Sequence, residues 1–448
     1  MMKRLVLAFI LISFLVACNQ VPVPTGTQQP SPTEGPLQTS EPIPNSHMVR
    51  ADVPRVASPE VSQERLQELV RGNNLFAFDL YHRVTQGSID NLIYSPYSIS
   101  LAFSMVYAGA AGETRAQMMD VLNYLAQEVQ HPTFNALDQH LASLGDERGG
   151  ETEGEPFQLN IANAVWGQQG FPFNEPYLNT LAGQYGAGLR VVDFAQDPEG
   201  ARELVNDWVA EETEERIRDI VPQGAIDAAT RLVLANAIYF NAGWLFPFDP
   251  AATQEQPFNL VDGTQTSVPM MHLNTVRAPY YQGNGYQAVL LPYTGEKVDM
   301  LVILPESGLF ETVQESMSAD LLDQVRAQTE IHDVTLSMPK FDFESEPNLP
   351  DLLKEMGMTD AFSPGTADFS GIAEDSGLYI SAALHKGTIK VDELGTEAAA
   401  ATVITVVGME TSAMPRAELN LDRPFIFAIL ERETGTILFL GRVMDPMG

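Results

Sequence analysis

The chain reads Glu393-Leu-Gly-Thr-Glu-Ala-Ala-Ala-Ala-Thr402 and then Val403-Ile-Thr-Val-Val-Gly-Met-Glu-Thr-Ser-Ala-Met414, between strand-like sequences on both sides. Residues 402–407 are all β-branched, so they favour a strand, and on a surface they are an aggregation hazard unless a sheet accepts them. In the alanine-rich part, positions of even number would share one face as a strand, whereas Glu397 would face water. Gly395 can act as a pivot because glycine tolerates backbone angles that other residues avoid. These patterns fit a movable strand, a static strand or an alanine-rich helical turn equally well.

The rest of the chain from Val61 to Gly448 predicts a single α+β domain. Residues 65–80 have the helical spacing of apolar side chains, and residues 288–292 and 298–304 have the composition of strands. The segments 424–430 and 436–440, separated by a Glu-Arg-Glu-Thr-Gly turn, predict a buried β-hairpin. Helical patterns dominate early and strand patterns late, which is typical of the α+β class.

The N-terminus predicts an export signal followed by a tether. Lys3 and Arg4 precede an apolar run from Leu5 to Ala17 that is too short to span a bilayer comfortably. The end of this run and the residue after it, Leu15-Val-Ala-Cys18, resemble the bacterial lipobox. This resemblance implies a signal peptide over residues 1–17 and a diacylglyceryl group on Cys18. Residues 18–60 are rich in proline, serine and threonine and predict a disordered tether. We therefore expect an extracytoplasmic protein, lipid-anchored to the cell membrane or cell surface, or otherwise secreted.

Composition excludes several classes of function. The formal net charge is −34, which disfavours nucleic acid as a partner. The chain has one cysteine, so it can form no internal disulfide, and its seven histidines show no spacing suited to a metal ion. No Gly-x-Ser-x-Gly elbow is present, and the alternating strand and helix pattern of a two-lobed solute-binding lipoprotein is missing. We expect neither an enzyme nor a cofactor.

Several separate motifs resemble the serpin family. The stretch from Glu393 to Thr402 is similar to the hinge of inhibitory serpins, and Asn91-Leu-Ile-Tyr-Ser-Pro-Tyr-Ser-Ile-Ser100 is similar to a segment that carries two serines of that family. Further matches, in the family's order, are Leu232-Val-Leu-Ala-Asn-Ala-Ile-Tyr-Phe240 with Gly243-Trp244, Val268-Pro-Met-Met271, His385-Lys-Gly-Thr-Ile-Lys-Val-Asp-Glu393, Pro424-Phe425 and Phe439-Leu-Gly-Arg442. The resemblance covers roughly residues 61–448.

The resemblance implies a serpin-like fold with three β-sheets, about eight to nine helices and an exposed reactive loop. It also implies a serine protease inhibitor that acts as a suicide substrate. In that mechanism the protease cleaves the loop, and the freed hinge enters the main sheet as a new strand before the acyl-enzyme is hydrolysed. The partner would be a serine protease in a covalent complex, and the inhibitor itself would be a monomer.

Counting along the hinge from Glu393, as in the family, places the scissile bond between Met409 and Glu410. An unbranched apolar methionine suits chymotrypsin-, elastase- or subtilisin-like proteases. Glu410 is unusual at its position, so Arg416-Ala417, which would suit a trypsin-like protease, stays open as the alternative. The segment 134–156 is acidic, with Arg148 as its one Lys or Arg residue, so we expect no heparin site.

The resemblance also assigns groups of residues to the loop mechanism. The hinge consists of Glu393, Gly395, Thr396, Glu397, Ala398, Ala399, Ala400, Ala401 and Thr402. The shutter, a buried polar cluster where the sheet opens, consists of Ser95, Ser98, Asn236 and His385. The breach, at the end of the sheet that the loop enters, consists of Trp244, Lys340 and Glu393, and we expect a salt bridge between Lys340 and Glu393. The alternative within the family is a non-inhibitory serpin that serves as a surface binding or chaperone module.

Overall fold

A computed structural model describes residues 47–146, 158–374, 377–396 and 414–448. Nine α-helices lie in this part of the chain. They are α1 (Gln63–Thr85), α2 (Pro96–Tyr107), α3 (Gly112–Val121), α4 (Gln127–Asp146), α5 (Glu175–Tyr185), α6 (Pro198–Glu212), α7 (Phe310–Ser316), α8 (Ala319–Gln328) and α9 (Leu349–Glu355). None of the helices in the described ranges is long and apolar enough to cross a membrane.

Sixteen β-strands accompany these helices in the described ranges. They are β1 (His47–Val49), β2 (Leu92–Tyr94), β3 (Gln158–Gln168), β4 (Leu189–Val192), β5 (Leu232–Gly243), β6 (Gln254–Asn259), β7 (Gln265–Gln282), β8 (Tyr286–Pro292), β9 (Val298–Pro305), β10 (Glu330–Pro339), β11 (Phe341–Ser345), β12 (Ile380–Val391), β13 (Gly395–Thr396), β14 (Arg416–Asn420), β15 (Phe425–Glu431) and β16 (Ile437–Val443). The predicted strands at 288–292 and 298–304 and the predicted C-terminal hairpin are present as β8, β9 and β15–β16.

The main sheet has seven strands in the order β1-β4-β3-β5-β13-β12-β11. Strand β5 is buried along almost its whole length because helices cover both faces of the sheet at its centre. Helix α2 contacts β3 and β5 on one face, and α6 contacts the same two strands. A strand enclosed in this way needs apolar residues on both faces, which explains why the sequence from Leu232 to Phe240 is apolar at every position except Asn236.

The second sheet has nine strands, with β14-β10-β7-β8-β9-β15-β16-β2 as its path and β6 paired to β7. The predicted α+β class is confirmed, but the strands of the described ranges form two hydrogen-bonded sheets where we predicted three. The reason is the 18-residue strand β7. It pairs with β6 and β10 along most of its length and with β8 at residues 280–282, so two groups of strands become one sheet.

Residues 47–60, which we assigned to the tether, contact the folded body. Strand β1 pairs with β4, and Arg55 forms a salt bridge of 2.5 Å with Asp138 of α4. The predicted boundary at Val61 therefore lies too late in the chain. The tether pattern misled us because proline and polar residues also suit an edge strand and an extended surface segment.

Candidate functional site

The centre of the main sheet contains two parallel strands with a narrow slot at one end. Strands β5 and β12 pair directly from Leu232↔Ile380 to Ile238↔Gly387. Beyond that stretch β13 lies between them, antiparallel to both, with Gly395 opposite Gly243 and Thr396 opposite Ala242. The first two residues that follow the turn after β12 thus already occupy the position of a new central strand.

Gly395 fills the entrance of this slot, and no other residue fits there. A Cβ atom at this position would lie 2.2 Å from the carbonyl oxygen of Ala242 and 2.7 Å from the Cα of Gly243. Gly395 does not adopt a positive φ. We predicted a pivot that exploits unusual backbone angles, but the structure requires glycine at this position because the neighbouring backbone approaches so closely.

Thr396 is held in the slot by a buried tyrosine that the sequence analysis missed. The hydroxyls of Thr396 and Tyr293 are 2.7 Å apart. The Tyr293 ring stacks on Trp244 with 4.5 Å between ring centroids, and burial raises the pKa of its hydroxyl. The Tyr293 hydroxyl is therefore neutral, and its ring connects the breach tryptophan to the hinge.

The breach residues surround the turn between β12 and β13. Lys340 Nζ lies 2.7 Å from Glu393 Oε2, so the predicted contact is present. Thr253, which we did not predict, donates to Glu393 Oε1 at 2.7 Å. Burial acts to raise the pKa of Glu393, but these hydrogen bonds outweigh it and hold the pKa below its usual value. The backbone N–H of Trp244 donates to the Leu394 carbonyl at 2.8 Å, which fixes the turn against the end of β5.

The four shutter residues lie together beneath the directly paired part of β5 and β12. Asn236 Nδ2 donates to Ser98 Oγ at 2.6 Å, and the backbone N–H of Ser95 donates to His385 Nε2 at 3.2 Å. Because Nε2 accepts this bond, Nδ1 of His385 carries the proton and donates to Asn236 Oδ1. Burial lowers the pKa of His385 to about 3, so the imidazole is neutral at physiological pH.

Asn163 of β3 is a fifth member of this cluster that we did not predict. Its Oδ1 accepts from Ser98 Oγ and its Nδ2 donates to the Ser98 carbonyl, each at 3.2 Å. It also accepts a hydrogen bond from Asn236 Nδ2. The cluster therefore connects α2 to β3, β5 and β12, and every strand that borders the opening is bonded into it.

The remaining predicted residues lie outside the described ranges, and their roles stay predictions. They are Cys18, Glu397, Ala398, Ala399, Ala400, Ala401, Thr402, Met409 and Glu410. Arg416, the alternative bait residue, is the first residue of β14 and pairs with Asp333 of β10. The bond between Arg416 and Ala417 therefore lies inside a hydrogen-bonded strand.

Comparison with known proteins identifies relatives along nearly the whole chain. The family model for serpins (serine protease inhibitors) matches residues 71–446. An uncharacterized serpin-like protein of Thermococcus kodakarensis is 37% identical over 100% of this chain and 99% of its own length. Antithrombin-III of Mus musculus is 35% identical over 87% of this chain and 84% of the mouse protein. The leukocyte elastase inhibitor of Equus caballus is 33% identical over 85% of this chain and 100% of its own length.

Solved structures agree on the fold. A structure described as a tumour-suppressing serpin superposes with a TM-score of 0.75 at 23% identity, covering 85% of this chain and 100% of that protein. A crystal structure of maspin gives a TM-score of 0.76, also at 23% identity, and covers 86% of this chain.

Proposed function

Because this chain belongs to the serpin family of serine protease inhibitors, we propose that it inhibits a serine protease as a suicide substrate. One observation carries the proposal. Thr396 already pairs with both central strands and Gly395 pairs with β5, whereas β5 and β12 pair directly beyond them. The sheet thus has a started but unfinished central strand, and the alanine-rich hinge is the segment that would complete it.

The chemistry would proceed on the protease's own serine. Its oxygen adds to the Met409 carbonyl, the bond from Met409 to Glu410 breaks, and Glu410 leaves as a free amine, which leaves an ester between Met409 and the protease. Insertion of residues 397–408 then carries the ester away before water can hydrolyse it. Each hydrogen bond that the new strand forms contributes about 0.5–1.5 kcal/mol, so a strand of some ten bonds supplies a substantial driving force.

The bait residue we propose is Met409, with chymotrypsin-, elastase- or subtilisin-like proteases as targets. The placement of Arg416 supports this choice, because the backbone around the Arg416–Ala417 bond is paired with β10 and cannot enter a protease cleft unless β14 first separates from β10. The relatives named antithrombin-III and leukocyte elastase inhibitor support an inhibitory function in general terms.

The test is a denaturing gel of the protein mixed with chymotrypsin, elastase and trypsin, followed by mass spectrometry. We expect a band at the summed mass that survives SDS and a released peptide that starts at Glu410. A peptide that starts at Ala417 would keep the mechanism and assign the bait to Arg416. Cleavage without a covalent band would refute inhibition and favour a binding or chaperone module.

A matched pair of hinge variants separates insertion from cleavage. As a strand, position 400 shares the inward face with Thr396, and position 399 lies on the opposite face. Ala400→Arg should therefore be cleaved at the same bond without forming the covalent complex, because insertion would bury the arginine. Ala399→Arg, with the same charge and volume one position away, should still form the complex. Equal behaviour of the two variants would contradict strand insertion.

The membrane anchor is a second, separable part of the proposal. The Leu15-Val-Ala-Cys18 motif supports lipidation of Cys18, which would place the inhibitor outside the cytoplasm on the bacterial membrane or cell surface. Labelled fatty acid should be incorporated into the full chain and not into Cys18→Ala. Equal labelling of both would exclude this site.

A further inference from the structure

The N-terminal segment 47–56, here called the strap, is bound to two different parts of the molecule. Its first residues extend the main sheet, with His47, Met48 and Val49 opposite Val191, Arg190 and Leu189 of β4. Its last residues lie on α4, where Asn135 Nδ2 and Gln139 Nε2 both donate to the Val56 carbonyl at 2.9 Å. The strap therefore joins the outer edge of the main sheet to a neighbouring helix.

Two glycines, Gly186 and Gly188, make room for the strap between α5 and β4. A Cβ at Gly188 would lie 2.8 Å from Met48 Cγ and 3.0 Å from Arg50 Cβ. A Cβ at Gly186 would lie 3.1 Å from Arg55 Cδ, and the backbone N–H of Val56 donates to the Gly183 carbonyl at 2.8 Å. A close fit at successive positions distinguishes the strap from a tail that lies loosely on the surface.

Arg55 attaches the strap to α4 through both a salt bridge and a hydrogen bond. Its Nη2 lies 2.5 Å from Asp138 Oδ2, and its Nε donates to Asn135 Oδ1 at 2.8 Å. Both partners of the salt bridge are largely shielded from water, with 28% and 23% of the side chains exposed. Screening by solvent and salt is weaker there than for a fully exposed pair, so this contact contributes more than an ordinary surface salt bridge.

Asp138 also connects the strap to the shutter. Its second oxygen, Oδ1, accepts a 2.8 Å hydrogen bond from the hydroxyl of Tyr97, which is fully buried in the first turn of α2. Tyr97 lies between Ser95 and Ser98, which bond to His385 of β12 and to Asn236 of β5. A continuous chain of hydrogen bonds and one helical turn thus runs from Arg55 to both strands that must separate.

We propose that the strap, through Arg55, ties the outer strands of the main sheet to α4 and α2 and thereby limits how readily β5 separates from β12. A new strand needs a gap of about 4.8 Å between neighbours, so β5, β3 and β4 must shift away from β12 together. The strap bonds β4 to the helices that hold the shutter, so this shift must break strap contacts or drag α4 and α2 along. Arg55 is accordingly a positioning residue for sheet opening, and its effect on inhibition rests on the proposed function.

The first test is amide hydrogen exchange on the full chain, which needs neither protease nor loop insertion. We expect Arg55→Ala to accelerate exchange about tenfold at residues 232–238 and 380–387, because a partly buried charge-assisted contact is lost and the paired strands open more often. Arg55→Lys, which retains the charge, should restore most of the protection. Strand β9, at residues 298–305, should be unaffected.

Arg65→Ala is the matched control, since it removes an exposed salt bridge of the same 2.5 Å length from α1. It should leave exchange at residues 232–238 unchanged. Faster exchange confined to residues 47–56 and 189–192 in Arg55→Ala would mean that the strap only covers an edge, and would overturn the proposal. Equal acceleration in β9 would mean general destabilisation and would overturn it as well.

The second test measures uptake of a synthetic peptide with the sequence of residues 396–409. We expect Arg55→Ala to bind the peptide several-fold faster than the unaltered chain and Arg65→Ala to bind it at the unaltered rate. Equal rates for Arg55→Ala and the unaltered chain would refute a role for the strap in strand insertion. If neither chain takes up the peptide but the exchange difference is found, the strap still restrains the sheet and it is the proposed inhibitory mechanism that fails.

Discussion

Replacing Gly395 by alanine tests directly whether residue 395 occupies the slot between β5 and β12. The added Cβ would lie 2.2 Å from the Ala242 carbonyl oxygen, and that oxygen belongs to the central strand β5, which is packed on both faces. No side-chain rotation can relieve a clash between a Cβ atom and the backbone. The hinge must therefore leave the slot, or β5 must move.

The cost follows from the contacts that the hinge loses on leaving. Besides the ladder pairing of β13, three hydrogen bonds are lost: Tyr293 to Thr396, the Trp244 N–H to the Leu394 carbonyl, and the Asp392 N–H to the Gly395 carbonyl. At about 0.5–1.5 kcal/mol each, they total about 1.5–4.5 kcal/mol of unfolding free energy. Gly243→Ala is the control, because a Cβ on this glycine opposite Gly395 meets its nearest atom at 3.5 Å, an ordinary contact.

Denaturant unfolding and the complex-forming assay measure the two consequences. Gly395→Ala should lower the unfolding free energy by the amount above, and it should be cleaved by the target protease with little covalent complex, because insertion fails at its first step. Gly243→Ala should change the unfolding free energy by less than about 0.5 kcal/mol, the usual range for a substitution that disturbs no contact. If Gly395→Ala matched this control in both assays, residue 395 would not occupy the slot and the description of the hinge would be wrong.

Three further predictions concern the groups around the slot. Among the described residues, Lys340→Ala leaves the carboxylate of Glu393 with Thr253 as its one side-chain donor. The substitution should cost about 1 kcal/mol in denaturant unfolding, a modest value because Lys340 is 36% exposed, and no change would exclude a role for the salt bridge. Tyr293→Phe removes the bond to Thr396 but keeps the stacking on Trp244, so it should cost about 1 kcal/mol, and a loss of 3 kcal/mol or more would indicate that the ring itself has moved. Burial lowers the pKa of His385 to about 3 and that of His131 to about 4 in the folded chain, against 6.5 in the unfolded chain. Below pH 6.5 the unfolded chain therefore binds more protons than the folded chain. Each histidine then lowers the unfolding free energy by about 1.4 kcal/mol per pH unit as the pH falls towards the folded-state pKa of that histidine. Chemical denaturation between pH 7 and pH 4.5 measures this slope, and a flat profile would show that the two imidazoles are not buried in the neutral form.

The sequence predicted those parts of the site that lie on continuous motifs. Glu393, Gly395 and Thr396 lie within one stretch, and each shutter or breach residue belongs to a segment that resembles the family, Lys340 through Met338-Pro-Lys-Phe341. The residues we missed act through partners that are distant in sequence. Asn163, Thr253 and Tyr293 bond to residues 65, 140 and 103 positions away, and no local pattern marks an asparagine, threonine or tyrosine as one end of such a contact.

Tertiary packing also explains the two errors about larger elements. The strap has the composition of a tether, and it is ordered because the edge of β4 and the close-fitting Gly186 and Gly188 lie where it can reach them. The number of sheets depends on whether β7 remains continuous between its two groups of partners. Both outcomes are decided by contacts between remote segments, and neither is encoded in the local alternation of polar and apolar residues from which strands are predicted.

In the main sheet, the contacts that favour insertion of the loop are different from the contacts that delay it. A strand that continues β13 between β5 and β12 would be antiparallel to both, so one parallel ladder would be replaced by two antiparallel ladders, which are slightly more stable per residue. The contact between His385 and Asn236 crosses that gap and exists only while the two strands are neighbours. His385→Leu should therefore lower the melting temperature of the intact chain more than that of the chain cleaved in the loop. Equal losses in the two forms would mean that this contact survives insertion, and that the shutter stabilises the final state instead of delaying its formation.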